Sequence, residues 1–400
     1  MTKTRKYEIT HPWLTFKLDL GQFDYDLWLA LGEAASKCEH IASVPLTQGV
    51  RHLLHQVYLS KGLAGTTAIE GNTLTEEQVQ QRIEGKLKLP PSTEYLGEEI
   101  DNVLKGINLI CDDLLSGGDA KLNKKKIKEY NRLALDGLEL EKNVIPGEIR
   151  TYGVGVPVYN YDGAAAEDCD YLLQRLCDWL NEEKIWVPKA GKIVTGILKA
   201  IAAHIYIAWI HPFGDGNGRT ARLVEFQLLV GAGVPSPVAH LLSNHYNHTR
   251  PRYYQELDKA SKSGGDIVPF IRYAVGGLVD GLKEQLDYID AQQRIIAWRD
   301  LVQEKFSDRN NKVANRLCYL ALDLLPHHQA PLPAKAISSL SPRIMEAYQG
   351  LNPVSLYIDL KKLVELEILE KTPKGYRAKL EIIAGFLPER LASEGETEEG

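Results

Sequence analysis

"HPFGDGNGRTAR", residues 211–222, places a histidine, an acid, three glycines, an asparagine and two arginines in one short turn. An apolar run, 193–210, precedes it and another, from 223 onward, follows. A plain helix–helix turn needs neither the histidine nor the two permanent cations. Two familiar motifs also fail. As a calcium loop beginning at Asp215, it has Arg219 in the fifth place, Thr220 where glycine belongs and Phe226 where the closing glutamate belongs. As a P-loop, the nearby Gly191-Lys192 is followed by Ile193, not by Ser or Thr.

The residues do suit a polyphosphate. Pro212 restricts His211 and ends the preceding helix there. Gly214, Gly216 and Gly218 let the backbone turn tightly and bring its N–H groups near a ligand. Those groups lie at the start of the helix that begins near Arg219, where unpaired donors and the helix dipole favour an anion. Arg219 and Arg222, three apart, share one face of that helix. Two guanidiniums beside an anion nest suit several phosphates better than one carboxylate. Asp215 has the chemistry of a Mg²⁺ ligand, and His211 is the side chain best suited to act as general base.

Outward from this turn, helical periodicity dominates. The spacing predicts helices over 23–60, 76–87, 95–115, 122–139, 166–182, 193–210, 219–230, 252–263 and 266–290. Thr75 and Gln78 have the spacing of a capping box, and "KGLAGTTAIEGNTLT" (61–75) and "GAGVPSPVAH" (231–240) read as loops. The clearest strand text is 146–160, where Val154, Val156 and Val158 alternate in a short exposed hairpin. Residues 310–380 differ: helices at 312–325, 334–340 and 353–367 precede two short strands around Pro373-Lys374-Gly375. That is the order of a winged helix-turn-helix. The expected architecture is mainly α, with an N-terminal helical segment (1–115), a catalytic core with a β-hairpin flap (116–290), a winged-helix domain (291–385) and an acidic disordered tail (386–400).

Bulk properties narrow the classes. At 400 residues the chain is too long for one ordinary core. A net charge of −6 gives no support for global nucleic-acid binding. Five scattered cysteines form no Cys-x-x-Cys pair, so a reducing, cytoplasmic setting is expected, without disulfides or zinc. The apolar stretch 193–210 carries Lys199 and His204 and reads as a buried helix, not a membrane span.

The motif at 211–222 resembles, at every specified position, the His-Pro-Phe-x-(Asp/Glu)-Gly-Asn-Gly-Arg-x-x-Arg signature of Fic (Fido) domain proteins. The resemblance implies protein adenylyl transfer: AMP moves from ATP to a Ser, Thr or Tyr hydroxyl of a target protein or of the enzyme itself. It implies His211 as base, Asp215 holding Mg²⁺, and Gly216, Asn217, Gly218, Arg219 and Arg222 at the phosphates. "TTAIEGN" (66–72) resembles the family's inhibitory motif through Thr66, Glu70 and Gly71. A Glu70 carboxylate on Arg222 would take the cation meant for the γ-phosphate. In some relatives the same glutamate also supports removal of AMP.

"GEIRTYGVGV" (147–156) is similar to the family's target-docking flap, here Thr151, Tyr152, Gly153 and Val154. "NHTRPRYYQEL" (247–257) resembles the segment whose aromatics lie near adenine, which implies Tyr253 or Tyr254. Two alternatives stay open at this point. One is transfer of UMP, phosphocholine or a phosphoryl group by the same site. The other is a DNA-binding regulator whose nucleotide site only senses, against which the candidate recognition helix carries only Lys361 and Lys362 in its middle. A protein-docking or homodimer-forming wing is the expectation preferred to DNA, and no membrane role is expected.

Overall fold

The computed structural model describes residues 4–383 apart from 119–120, 157–160, 183–185, 187–190 and 308–310. The expected acidic tail, 386–400, lies outside the described residues. The chain divides into two compact units, Met1–Leu286 and Asp287–Gly400.

In chain order the first unit contains α1 (Tyr7–Thr10), α2 (Tyr25–Ser43), α3 (Gln48–Ala68), α4 (Glu76–Ile83), α5 (Glu94–Leu115) and α6 (Lys124–Ala134). A hairpin of β1 (Gly155–Val156) and β2 (Tyr161–Asp162) follows, then α7 (Ala166–Asn181), α8 (Gly191–Ile210) and α9 (Asn217–Gly231). The last helices are α10 (Ser236–Ala239), α11 (Leu241–His248), α12 (Arg250–Lys262) and the start of α13 (Val268–Lys305).

At the centre α8 packs along α9. Ile197, Leu198, Ile201, Ile205, Tyr206, Trp209 and Ile210 of α8 meet Ala221, Leu223, Val224 and Leu229 of α9, all buried. A helix apolar on every side belongs inside a core. Among the described residues α8 is the one helix long and apolar enough to cross a membrane, and it is buried in protein instead.

The stretch 23–60, expected as helix throughout, is divided between α2 and α3 at residues 44–47. Three further sequence expectations need correction. Residues 61–68 are not a loop, because α3 continues to Ala68. Its glycines serve close packing: a Cβ on Gly62 would lie 2.3 Å from His240 Cγ, and one on Gly65 2.8 Å from Asn244 Oδ1. The chain leaves the helix only further on, at Gly71, whose φ is +105°. Secondly, the "GAGVPSPVAH" segment contains α10, with proline in its first turn, and α11 follows directly. Thirdly, α13 extends to Lys305, well past 290.

Other local signals hold. Thr75 and Gln78 form a reciprocal capping box at the start of α4. The hairpin pairs Gly155 with Asp162 and Val156 with Tyr161, antiparallel; residues 157–160, with the expected Val158, lie outside the description.

The second unit contains α14 (Lys312–Leu324), α15 (Ala334–Ile337), α16 (Pro342–Tyr348) and α17 (Val354–Glu365), then β3 (Leu369–Thr372) antiparallel to β4 (Gly375–Ala378). Helix α16 was absent from the sequence reading. Trp298, Leu320, Leu324, Leu360, Leu363 and Ile368 form the core of the second unit.

The glycines of α2 and α3 make contrasting predictions. Gly62→Ala drives a methyl into His240 and should destabilise by about 1–3 kcal/mol. Gly32→Ala, where a Cβ meets nothing within 4 Å in mid-α2, should stabilise by about 0.5–1 kcal/mol. Urea unfolding of the two variants measures both, and equal midpoints would contradict the packing argument.

Candidate active site

The α8–α9 turn is held by its own side chains and by its neighbours. Gly216 caps α9 with a left-handed φ of +72°. Asn217 folds back on Phe213, accepting from its N–H and donating to its C=O, both at 2.9 Å. Asn131 of α6 donates to Asp215 O at 2.9 Å and to Thr220 Oγ1 at 3.2 Å, and accepts from Gly147 N–H at 2.9 Å. The Asn217 side chain is thus spent on the turn, leaving its backbone for any ligand. Ile149 forms an antiparallel bridge with Phe213, so the strand leading into the flap is stitched to the loop.

His211 has a φ of +50°, unusual outside glycine. Its Nδ1 lies 3.3 Å from Ala208 O. Burial, assisted by the Arg150 charge and opposed by that bond and by Glu70 and Asp215, brings its pKa down to about 4. The ring is therefore neutral at pH 7. With Nδ1–H donated to Ala208, Nε2 carries the free lone pair of a base.

Both arginines of α9 are buried. Arg222 Nη2 donates to Glu70 Oε1 at 2.6 Å and to Thr66 O at 2.9 Å. Thr66 thus takes part through its carbonyl. A Cβ on Gly218 would sit 2.0 Å from Glu70 Oε1, which places the carboxylate directly on the first turn of α9. Burial would raise the Glu70 pKa, but Arg222, with Arg219 and His211 behind it, holds it below the usual value. Arg219 donates to Glu99 at 3.0 Å and approaches Asp215 at 3.5 Å. Glu99 is fixed by Asn72 Nδ2 at 2.8 Å, and its own pKa is raised, chiefly by burial, against the pull of Arg219. Arg222 Nε and Nη1 and Arg219 Nε are buried without a hydrogen-bond partner.

Of the flap residues, Tyr152 reaches the loop: a Cβ on Gly214 would lie 2.2 Å from its hydroxyl. Thr151 and Gly153 are exposed and Val154 is half-buried. The two tyrosines divide. Of the two alternatives, Tyr253 is buried in the core, its hydroxyl 2.8 Å from His204 Nε2 and its ring stacked on Tyr246. Successive helical positions point about 100° apart, and the next residue, Tyr254, is half-buried with its hydroxyl 3.5 Å from Ile69 O, beside Glu70. Asn131, Glu99 and Arg150 were missed by sequence reading. Only Arg150, inside the flap segment, lay in text already singled out.

With this geometry in view, residues 121–229 match the Fic/DOC family. The chain carries a Fic/DOC domain. It is 31% identical over 211 residues to "Protein adenylyltransferase fic-1" of Caenorhabditis briggsae, covering 52% of this chain and 37% of that protein. It is 29% identical over 255 residues to "Protein adenylyltransferase Fic" of Nematostella vectensis, covering 63% and 54%. The match therefore spans little more than a third to about half of these relatives' length.

Two solved structures share the fold. A Fic family protein from Desulfovibrio desulfuricans superposes with a TM-score of 0.53 at 22% identity, over 87% of this chain and 95% of that one. A portion of Fic-1 from Caenorhabditis elegans gives 0.54 at 25%, over 66% and 72%. Elements before the matched span, α3 and α5, converge with the motif residues on one cationic helix start.

The buried imidazoles predict a pH dependence of stability. His211 is brought to about 4 and His240 to about 3, each by burial first, whereas the unfolded chain titrates histidine near 6.5. Between about 6.5 and 4 the unfolded state binds more protons, so stability falls as pH is lowered through that window. The urea midpoint should drop between pH 7 and pH 5; a flat profile would refute it.

Proposed function

We propose that this Fic domain is a protein adenylyltransferase, moving AMP from ATP to a hydroxyl of a target protein or of itself, and restrained by Glu70. The observation that carries the proposal is Arg222. It is buried, one acid meets it, and two of its donor nitrogens are unanswered. Burying an incompletely paired cation is costly, and a ligand with several anionic oxygens would complete it. The chain's relatives named protein adenylyltransferase support ATP as the source of that anion.

The residues have defined tasks. His211 Nε2 accepts the proton of the attacking hydroxyl, whose oxygen bonds to the α-phosphorus while the bond to the β-phosphate oxygen breaks and pyrophosphate leaves. The backbone of Gly216, Asn217 and Gly218 and the guanidiniums of Arg219 and Arg222 hold the phosphates, with Tyr254 nearest the base. Positioning and charge neutralisation are what such a transfer needs from a protein.

The Asp215 carboxylate fits Mg²⁺: its side chain is 50% exposed, and Oδ1 alone is engaged among the described residues. Bound there, the ion would neutralise phosphate charge. Glu70 occupies the Gly218 end of the same cradle, so its carboxylate and a γ-phosphate compete for Arg222. The flap, Thr151–Val154, is the docking edge for the target backbone.

The observations give a DNA-reading role no support. In the second unit Arg316, Arg343 and Arg377 pair with Asp359, Asp323 and Glu370, and Lys361 with Glu365.

Glu70→Gly should raise incorporation of label from α-³²P-ATP into protein by at least about tenfold. Adding His211→Ala should lower that rate by about 10²–10⁴-fold. Equal labelling by the wild type and the Glu70 variant at saturating Mg-ATP would remove the restraint from the proposal, and labelling that survives loss of His211 would remove the base.

A further inference from the structure

Arg150 is a buried cation, 4% exposed, with no acidic partner among the described residues. Its bonds run to carbonyls instead. Nε donates to His211 O at 2.7 Å, and Nη2 to Ala164 O at 2.5 Å and to Ile210 O at 3.4 Å. Nη1 donates to Tyr152 O at 2.6 Å, and the main-chain N–H donates to Pro212 O at 3.0 Å. Three consecutive carbonyls, 210 to 212, therefore end on this one residue. Two further carbonyls, Tyr152 and Ala164, flank the hairpin on either side.

We propose that Arg150 is the positioning residue that joins the flap to the catalytic histidine, so that hairpin and base are set as one unit. The proposal rests on the adenylyltransferase reading above and assigns a role within that site.

Two observations make the link specific. His211 sits at φ +50°, a backbone conformation that disfavours a residue with a Cβ, so something must hold it there. The bonds to the carbonyls on both sides of that torsion do so. Space for the guanidinium is provided by Gly163, just after β2: a Cβ there would lie 2.8 Å from Arg150 Nη2 and 2.9 Å from His211 Cβ. The rigid fork of a guanidinium fixes several carbonyls in one plane at once. Lysine has the charge without the fork. The Arg150 charge also lies close enough to hold down the imidazole's proton affinity.

The test uses Arg150→Lys and Arg150→Gln in the full chain carrying Glu70→Gly, with Gly163→Ala as a third variant that presses on the same contact without removing the cation. Calorimetry with the non-hydrolysable analogue AMPCPP reads nucleotide affinity, self-labelling from α-³²P-ATP reads kcat, and NMR titration of ¹⁵N-histidine reads the His211 pKa and tautomer. The expected result is a kcat about 100-fold lower for both arginine variants and for Gly163→Ala. Affinity should stay within about threefold, and the His211 pKa should rise in Arg150→Gln but not in Arg150→Lys.

Folded arginine variants that label within threefold of their parent, or a loss of affinity in step with kcat while His211 titrates unchanged, overturn the proposal. A parent that labels nothing would count against the adenylyltransferase reading, while the His211 titration would still decide the positional link.

Discussion

Two guanidiniums buried on one helical turn need counter-charge from elsewhere in the chain. Arg219 and Arg222 receive it from Asp215 in the loop, Glu99 on α5 and Glu70 just beyond α3. Each acid comes from a different element, so α3, α5 and α9 have to converge around the same point. Asn72 ties the turn after α3 to Glu99 and to Leu96 O, which makes the two acidic arms a connected frame. An ion pair buried this way stabilises little by itself. Its consequence is a fixed cationic site with donors left over.

The leftover donors are where structure becomes chemistry. A fully matched arginine would have no use for a ligand, while a wholly unpaired one would destabilise the core. Arg222, half-matched by Glu70, lies between these limits. The contact that keeps the cation tolerable in the free protein occupies the face of Arg222 where the proposed phosphate would bind. In the proposed reaction, the carboxylate that pairs this cation in the resting protein is also the one that would restrain transfer.

His211 is set by different forces. Its neutrality follows from burial, which penalises the charged imidazole, while Ala208 O selects which nitrogen bears the proton. Its backbone is held by neighbours outside the motif, with Ile149 and Arg150 pairing to the loop on one side and Asn131 bracing it on the other. An imidazole beside a turn of three glycines would wander without those braces, since glycine offers the backbone many alternatives.

The spacing in 211–222 was enough to bring His211, Asp215, Arg219 and Arg222 to one turn, because each depends on residue type at fixed offsets around a helix start. Periodicity was enough for most helices of the first unit, where apolar faces repeat every three or four residues. It failed at 61–68 and 231–240, where glycine and proline carry the same text in a turn and in a tightly packed helix, and only the neighbour decides; His240 against Gly62 is that neighbour. Sequence also could not separate Tyr253 from Tyr254, since their difference is a rotation about α12 toward core or site. Nor could it find Glu99, Asn131 or Arg150, whose partners lie 120, 84 and 61 residues away in the chain. Local chemistry is written in adjacent letters, whereas the burial and pairing that tune it arise only when distant segments meet.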